Sequence, residues 1–470
     1  MSDLQNPSLM LFSLVALLLP TGLALVAIGG SDEESAVRVA VSTLVAFASA
    51  AIGYYICGFA FQFGGAGLVS GLPGLSWLTA EWSPMDVAWG AGWGAIGLRG
   101  FLLGGSAYTA DAYALFVRSL PAVVTAVVVA LLPLSGHVRN IGLFAVGLLI
   151  SGFVYPLFAN WVWGGGWLAN LGQNLGQGHG YVDVGGSGTV FVLGALVALG
   201  GLLLLRPAKE GENGPARLPP VHFPLLAVLG TLLTPVGWAG LILGNPPLQR
   251  QLAVPVALGN LVLAAAASAS VVLCYSWFVT GQPDALASCR GLVSGLVAAG
   301  AACGFVPPWA ALVIGVVGGL LFLVGTYLWE QVLGWDDPTA TIASFGLPGI
   351  CGVLAVGVFA DGRWGAGWNG VGGQEYLGTI GQGVTGLLVD ERLQPAGMVQ
   401  LQSQLVGLVA LLVVALLVPL VVFRTVRWLR VVVGAAPTEE KVDSAVGVSD
   451  QPANEGEEGQ TRAEPGSDPG

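Results

Sequence analysis

Long apolar stretches alternate along the chain with short polar or Gly/Pro-rich breaks. Eleven windows, roughly 8–29, 39–63, 111–134, 140–163, 187–205, 222–243, 253–278, 289–305, 307–328, 341–360 and 402–423, have the length and apolar content of membrane-spanning helices. The first lacks a basic leader and a small-residue cleavage site, so it reads as a helix rather than a signal peptide. With eleven spans the two ends lie on opposite sides. Placing the N-terminus outside puts Arg38, Arg139, Arg206, Lys209, Arg217, Arg290, Arg424, Arg427 and Arg430 inside, against Arg99, Arg250, Arg363 and Arg392 outside. That bias predicts an integral protein of the cell membrane with its N-terminus outside and its C-terminus cytoplasmic. Two outer connections, roughly 64–110 and 361–401, are long and rich in Gly, Trp and Tyr, and are expected to form an ordered lid over a vestibule.

Composition sharpens the class. Mean hydropathy is +0.78 and only 9% of residues are charged, against about 25% in soluble domains. Nucleic-acid binding, disorder of the body and most soluble enzymes are excluded. The 73 glycines, spread through the apolar windows, suit close helix–helix approach in lipid. Cys57, Cys274, Cys289, Cys303 and Cys351 share no CxxC spacing and read as small buried apolar residues. The net charge of −11 is mostly local: from Glu439 to Asp468 nine acids face Lys441 and Arg462, leaving −7 there. The chain therefore divides into a transmembrane domain, 1–434, and an acidic tail, 435–470, whose composition predicts disorder and a cytoplasmic contact surface for a regulatory protein.

An internal match crosses the two halves. Asp183 leads through Val-Gly-Gly-Ser-Gly-Thr-Val to Phe191, and Asp337 leads through Pro-Thr-Ala-Thr-Ile-Ala-Ser to Phe345. In each case a carboxylate at a helix start precedes an aromatic by eight residues. The first octet opens the fifth window and the second the tenth. An odd offset of five spans makes the halves antiparallel across the membrane, as in folds with a substrate path at the repeat interface. The expected fold class is an all-α polytopic membrane protein with two inverted five-helix repeats and a final helix.

The stretch Trp161-Val-Trp163-Gly-Gly-Gly-Trp167-Leu168, followed by the Asp183–Phe191 octet, resembles the signature joining the fourth and fifth helices of the ammonium transporter family. So do Pro20-Thr-Gly-Leu-Ala, Gly230-Thr231 with Gly237-Trp238-Ala-Gly240, Asn260, Asp336-Asp337-Pro338 with Gly346 and Gly349-Ile350, and Gly357-Val-Phe-Ala. The resemblance runs in order over about residues 10–425. It implies a homotrimer, each protomer holding its own narrow apolar pore. Ammonium would be recruited at an aromatic and carboxylate-flanked outer site and lose its proton, and ammonia would pass two facing histidines.

Here the chain departs from the family. Phe191 and Phe345 stand at the two histidine positions, and Leu241 and Asn245 where the sixth-helix block carries a phenylalanine and a serine. Phe116 and Leu120 map onto the aromatic pair of the third helix, with Arg118 between them. A desolvated ammonium ion in an apolar path costs several kcal/mol. Histidine accepts its proton near neutrality, whereas a phenylalanine ring offers only its quadrupole, about 0.5–2 kcal/mol.

The expected pathway residues are Trp163, Asp183, Phe191, Trp238, Leu241, Asn245 and Phe345. Asp183 reads as a helix cap, as an electrostatic anchor for an outer cation, or as both. Asp336 and Asp337 read as structural carboxylates. Trp163 and Trp238 are vestibule aromatics or interfacial anchors. Arg118 reads as snorkelling to the interface or as a charge facing the vestibule, where it would repel cations. His137, His179 and His222 fall at loops or helix ends, away from the path. No HExxH, GxSxG elbow or P-loop is present, so no enzyme, cofactor or metal is expected. Two functions remain: a channel or transporter for ammonium, ammonia or a related small molecule, or a non-conducting sensor or structural subunit whose acidic tail is its contact.

Overall fold

The computed structural model describes residues 3–69, 74–85, 92–105, 108–205, 223–244, 252–335, 337 and 339–432. Among them, ten helices are long and apolar enough to cross a membrane: α1 Pro7–Gly29, α2 Glu33–Val69, α3 Ala110–Leu134, α4 Asn140–Trp163, α5 Ser187–Leu204, α6 Pro224–Gly244, α7 Val254–Thr280, α9 Pro308–Val332, α10 Ile342–Phe359 and α11 Val399–Thr425. The chain is thus an integral, mostly helical membrane protein. Between α7 and α9 lies α8, Ala285–Gly300, apolar but only 16 residues long. The boundary at 434/435, the acidic tail and His222 lie outside the described residues.

The helix starts follow from local chemistry. Asp32 caps α2 through the Ser35 N–H (2.8 Å), Thr109 caps α3 through Ala112, and Asp284 caps α8 through Ala287 (2.8 Å). The capped start moves α8 ahead of the expected window 289–305. Its end comes at Gly300 because the following residues bond elsewhere. Ala301 donates its N–H to Ser187 Oγ (2.7 Å), and the Asn260 amide donates to the carbonyls of Cys303 and Val306 at 2.8 and 2.7 Å.

Small residues set the helix crossings. Where α1 meets α6, a Cβ on Gly237 would lie 2.1 Å from the Leu19 nitrogen, so the backbones touch. Along α2 and α4, the π-turns Tyr54–Gly58 and Ile150–Val154 face each other, with Ser151 Oγ donating across to the Ser49 carbonyl at 3.0 Å. The apolar core runs continuously through the bundle. Large side chains such as Phe278 and Leu225 point outward and are 90% and 84% exposed, an apolar exterior suited to lipid. Cys289 and Cys303 are buried as expected, whereas Cys274 is exposed.

The described parts of the two long connections are ordered. Each carries a short antiparallel pair, β1 Glu81–Trp82 with β2 Ile96–Gly97 and β3 Glu375–Tyr376 with β4 Thr379–Ile380. One is tied to the last turn of α4 and the other to the segment between α4 and α5. Trp161 Nε1 donates to the Ala95 carbonyl (2.7 Å), and the Asn369 amide donates to the carbonyls of His179 and Tyr181 at 2.8 and 3.2 Å.

Candidate substrate pathway

The two octets fold alike. Asp183 Oδ2 accepts the N–H groups of Gly188 (3.0 Å) and Thr189 (2.7 Å) and the Thr189 hydroxyl (2.8 Å). Asp337 accepts the N–H of Thr341 on Oδ1 (3.0 Å) and of Ile342 on Oδ2 (2.7 Å). Each carboxylate caps a helix whose opening turn is π-helical, Ser187–Val192 in one half and Ile342–Gly346 in the other. A widened first turn following a side-chain cap sets the eight-residue spacing and turns both aromatics to one place. Phe191 and Phe345 meet there with ring centroids 5.5 Å apart at 44°, and Trp238 stacks on Phe191 at 4.5 Å and 15°.

This triple of rings is closed to water: Phe191 and Trp238 are 0% exposed and Phe345 is 5% exposed. Trp238 is wedged between two glycines, since a Cβ on Gly185 would fall 2.6 Å from its Nε1 and one on Gly300 2.9 Å from its ring. Leu241, one turn further along α6, is buried as well. Trp163 is drawn into the same site by donating Nε1 to the Asp183 carbonyl at 3.0 Å. Of the expected pathway residues, the structure therefore brings together Trp163, Asp183, Phe191, Trp238 and Phe345. Asn245 and Asp336 lie outside the described residues.

Other expectations change. Phe116 stacks on Tyr54 (5.4 Å, 22°) and meets Phe59 edge-on, in a separate aromatic cluster around the π-turn of α2. Arg118 does not snorkel. It is 2% exposed, and its Nε donates to the Gly244 carbonyl at 2.7 Å while Nη1 reaches the Leu4 carbonyl at 3.4 Å. The α6 terminus offers free carbonyls there, which satisfy a buried guanidinium better than a long reach to the interface.

Several site residues were hidden from sequence reasoning. Gln400 and Gln404, one turn apart on α11, clamp the backbone ahead of Asp183. Gln400 accepts the His179 N–H (2.9 Å) and donates to Gly180 (2.8 Å), and Gln404 accepts the Val182 N–H (2.9 Å) and donates to Val182 and Val353 at 2.8 and 2.9 Å. A polar pair at i, i+4 in an apolar helix was the available signal. The hydroxyls of Tyr155 and Tyr181, both fully buried, sit in the field of Asp183. His179 is 0% exposed, edge-on to Tyr376 with centroids 4.7 Å apart, and burial pushes its pKa down to about 4. Beyond Phe345 lies a cavity of about 20 Å³, lined by Arg290, Thr339, Thr341, Ser344 and apolar side chains of α1, α3 and α8.

No group able to exchange a proton at neutral pH belongs to the ring triple, so the site can admit a small neutral molecule between rings or hold a cation at a ring face. The described residues contain no cluster able to hold a metal ion.

The chain's relatives agree with this architecture. The profile of the Ammonium Transporter Family matches residues 8–444. The ammonium transporter Amt2 of Archaeoglobus fulgidus is 31% identical over 376 residues, covering 77% of this chain and 74% of its own length. A putative ammonium transporter of Synechocystis is 27% identical over 374 residues, covering 76% of each chain. Among solved structures, a sensor Amt protein superposes with a TM-score of 0.71 at 22% identity, over 91% of this chain and 94% of that one, and Candida albicans Mep2 with 0.68 at 21%, over 88% and 82%. At those identities the superpositions establish the fold.

Proposed function

The chain belongs to the ammonium transporter family, and from that premise we propose that it passes a small neutral molecule, ammonia or one of similar size, along a path through the ring triple. The observation that carries this reading is the direct contact of Phe191 with Phe345, 5.5 Å between centroids, at the focus of the two capped octets. The matched Asp183 and Asp337 caps support an inverted repeat of two five-helix halves with α8 counted as a crossing and α11 as the eleventh. The basic residues support Asp183 facing outside, with a cytoplasmic C-terminus. Each protomer of a homotrimer then holds its own path. Trp163 and the backbone around Asp183 form the outer approach, with Leu241 on the α6 side. Asp337 organises the inner helix start.

In this path the rings exclude water and the ion together. Stripping ammonium of water costs several kcal/mol, and one ring face returns about 0.5–2 kcal/mol. A neutral molecule escapes most of that cost. The same closure favours a second reading, a non-conducting sensor or structural subunit that signals through its C-terminal region, because rings in van der Waals contact leave no standing opening.

One experiment separates the two. In a transporter-deficient host on limiting ammonium and in proteoliposomes, the unmutated chain should give little or no ammonium current. F191H together with F345H supplies two imidazoles in similar volume, and this double variant should gain ammonium-dependent growth and current. Stopped-flow uptake of ammonia by the unmutated chain supports the channel; its absence supports the sensor. Robust ammonium current in the unmutated chain overturns both.

A further inference from the structure

The two capped helix starts match in backbone and differ in charge. At Asp183 the carboxylate is met by backbone N–H groups and the Thr189 hydroxyl. At Asp337 a guanidinium is added. Arg290, on α8, is 4% exposed, and the carboxylate acting on it most strongly is Asp337, followed by Glu330 and Asp284. Its Nη2 lies 3.2 Å from where a Cβ on Gly30 would stand, against the C-terminal turn of α1, the negative end of that helix's dipole. The same side chain lines the cavity beyond Phe345 with Thr339, Thr341 and Ser344. That cavity, about 20 Å³, has room for about one water-sized molecule.

We propose that Arg290 is the charge-selecting residue of the inner half of the path: its buried guanidinium, lining the cavity with Phe345, holds the place that a cation leaving Phe345 would take, and so bars ammonium while admitting a neutral molecule. The field of Asp337 is answered in part from within the chain, so an arriving cation meets the like charge of Arg290 before it reaches the carboxylate. A neutral, hydrogen-bonding molecule meets three hydroxyls instead. The outer start, which has no such guanidinium in its described hydrogen bonds, keeps its attraction for cations. The path is then asymmetric, receptive to charge at one end and closed to it at the other. This inference rests on the reading that the path runs between Phe191 and Phe345.

The test uses the full chain in proteoliposomes, with ammonium-evoked current recorded in the F191H/F345H background. R290Q should raise the current by at least about tenfold, the change expected on removing one like-charge contact at a partly screened site. R290K, which keeps the charge, should leave it within about twofold. No rise with R290Q, or equal rises with both, overturns the proposal. Where R290Q alone does not assemble, the neutral pair R290Q/D337N carries the same expectation. Failure of both neutral variants to assemble while R290K assembles makes Arg290 a structural charge and also overturns it. The underlying reading fails separately, through ammonium current in the unmutated chain, whatever R290Q does.

Discussion

His179 shows how far burial can change one side chain. In the sequence it is a loop residue between Gly178 and Gly180. In the fold it is closed in by Tyr376, by Asn369 on its carbonyl and by Gln400 on its N–H. Its pKa is pushed down to about 4, while an unfolded chain holds it near 6.5. The unfolded chain therefore binds the extra proton first. The stability that neutral His179 supports is complete above about pH 6.5 and is lost progressively as pH falls toward 4, by a total on the order of 3 kcal/mol. Thermal unfolding in detergent across that range should show the slope, and H179Q should flatten it. A slope unchanged in H179Q would place the titration elsewhere.

At the scale of elements, the clamp of α11 on the 179–182 backbone holds the outer cap in register. Gln404 satisfies one N–H and two carbonyls that have no water to turn to. Q404L leaves the Val182 N–H and carbonyl unpaired and should cost on the order of 2–3 kcal/mol, read as a drop in melting temperature. Q404E, which still accepts from Val182 but cannot donate, should also destabilise the chain. The helices themselves were legible because twenty apolar residues between polar breaks have few alternatives in a bilayer. Their ends were less so. The shift of α8 from 289–305 to Ala285–Gly300 depends on Asp284 at one end and on Ser187 and Asn260, from two other helices, at the other. The cap was visible locally; the partners that end the helix were not.

For the whole molecule, membership of the family motivates a homotrimer, expected as the main species by native mass measurement or crosslinking in mild detergent. A monomer or dimer alone would refute it. The residues after Val433 have no apolar period to contribute to a core, so truncation there should leave expression and oligomerisation unchanged. Loss of assembly would instead give the acidic segment a docking role and favour the sensor reading.

The sequence by itself determined the membrane class, the order of the helices and the paired octets, because apolar length and cap spacing are local properties that hold in any fold compatible with lipid. It also singled out Phe191 and Phe345 as the aromatics that close the two octets. Only the tertiary structure decided that the two rings touch, that Phe116 belongs to a different aromatic cluster, that Arg118 turns inward to the end of α6, and that Arg290 lines the cavity beyond Phe345. Those contacts join residues dozens to hundreds of positions apart. Their charges and rings find partners according to which helix faces meet, and the period of a single helix carries no record of its neighbour.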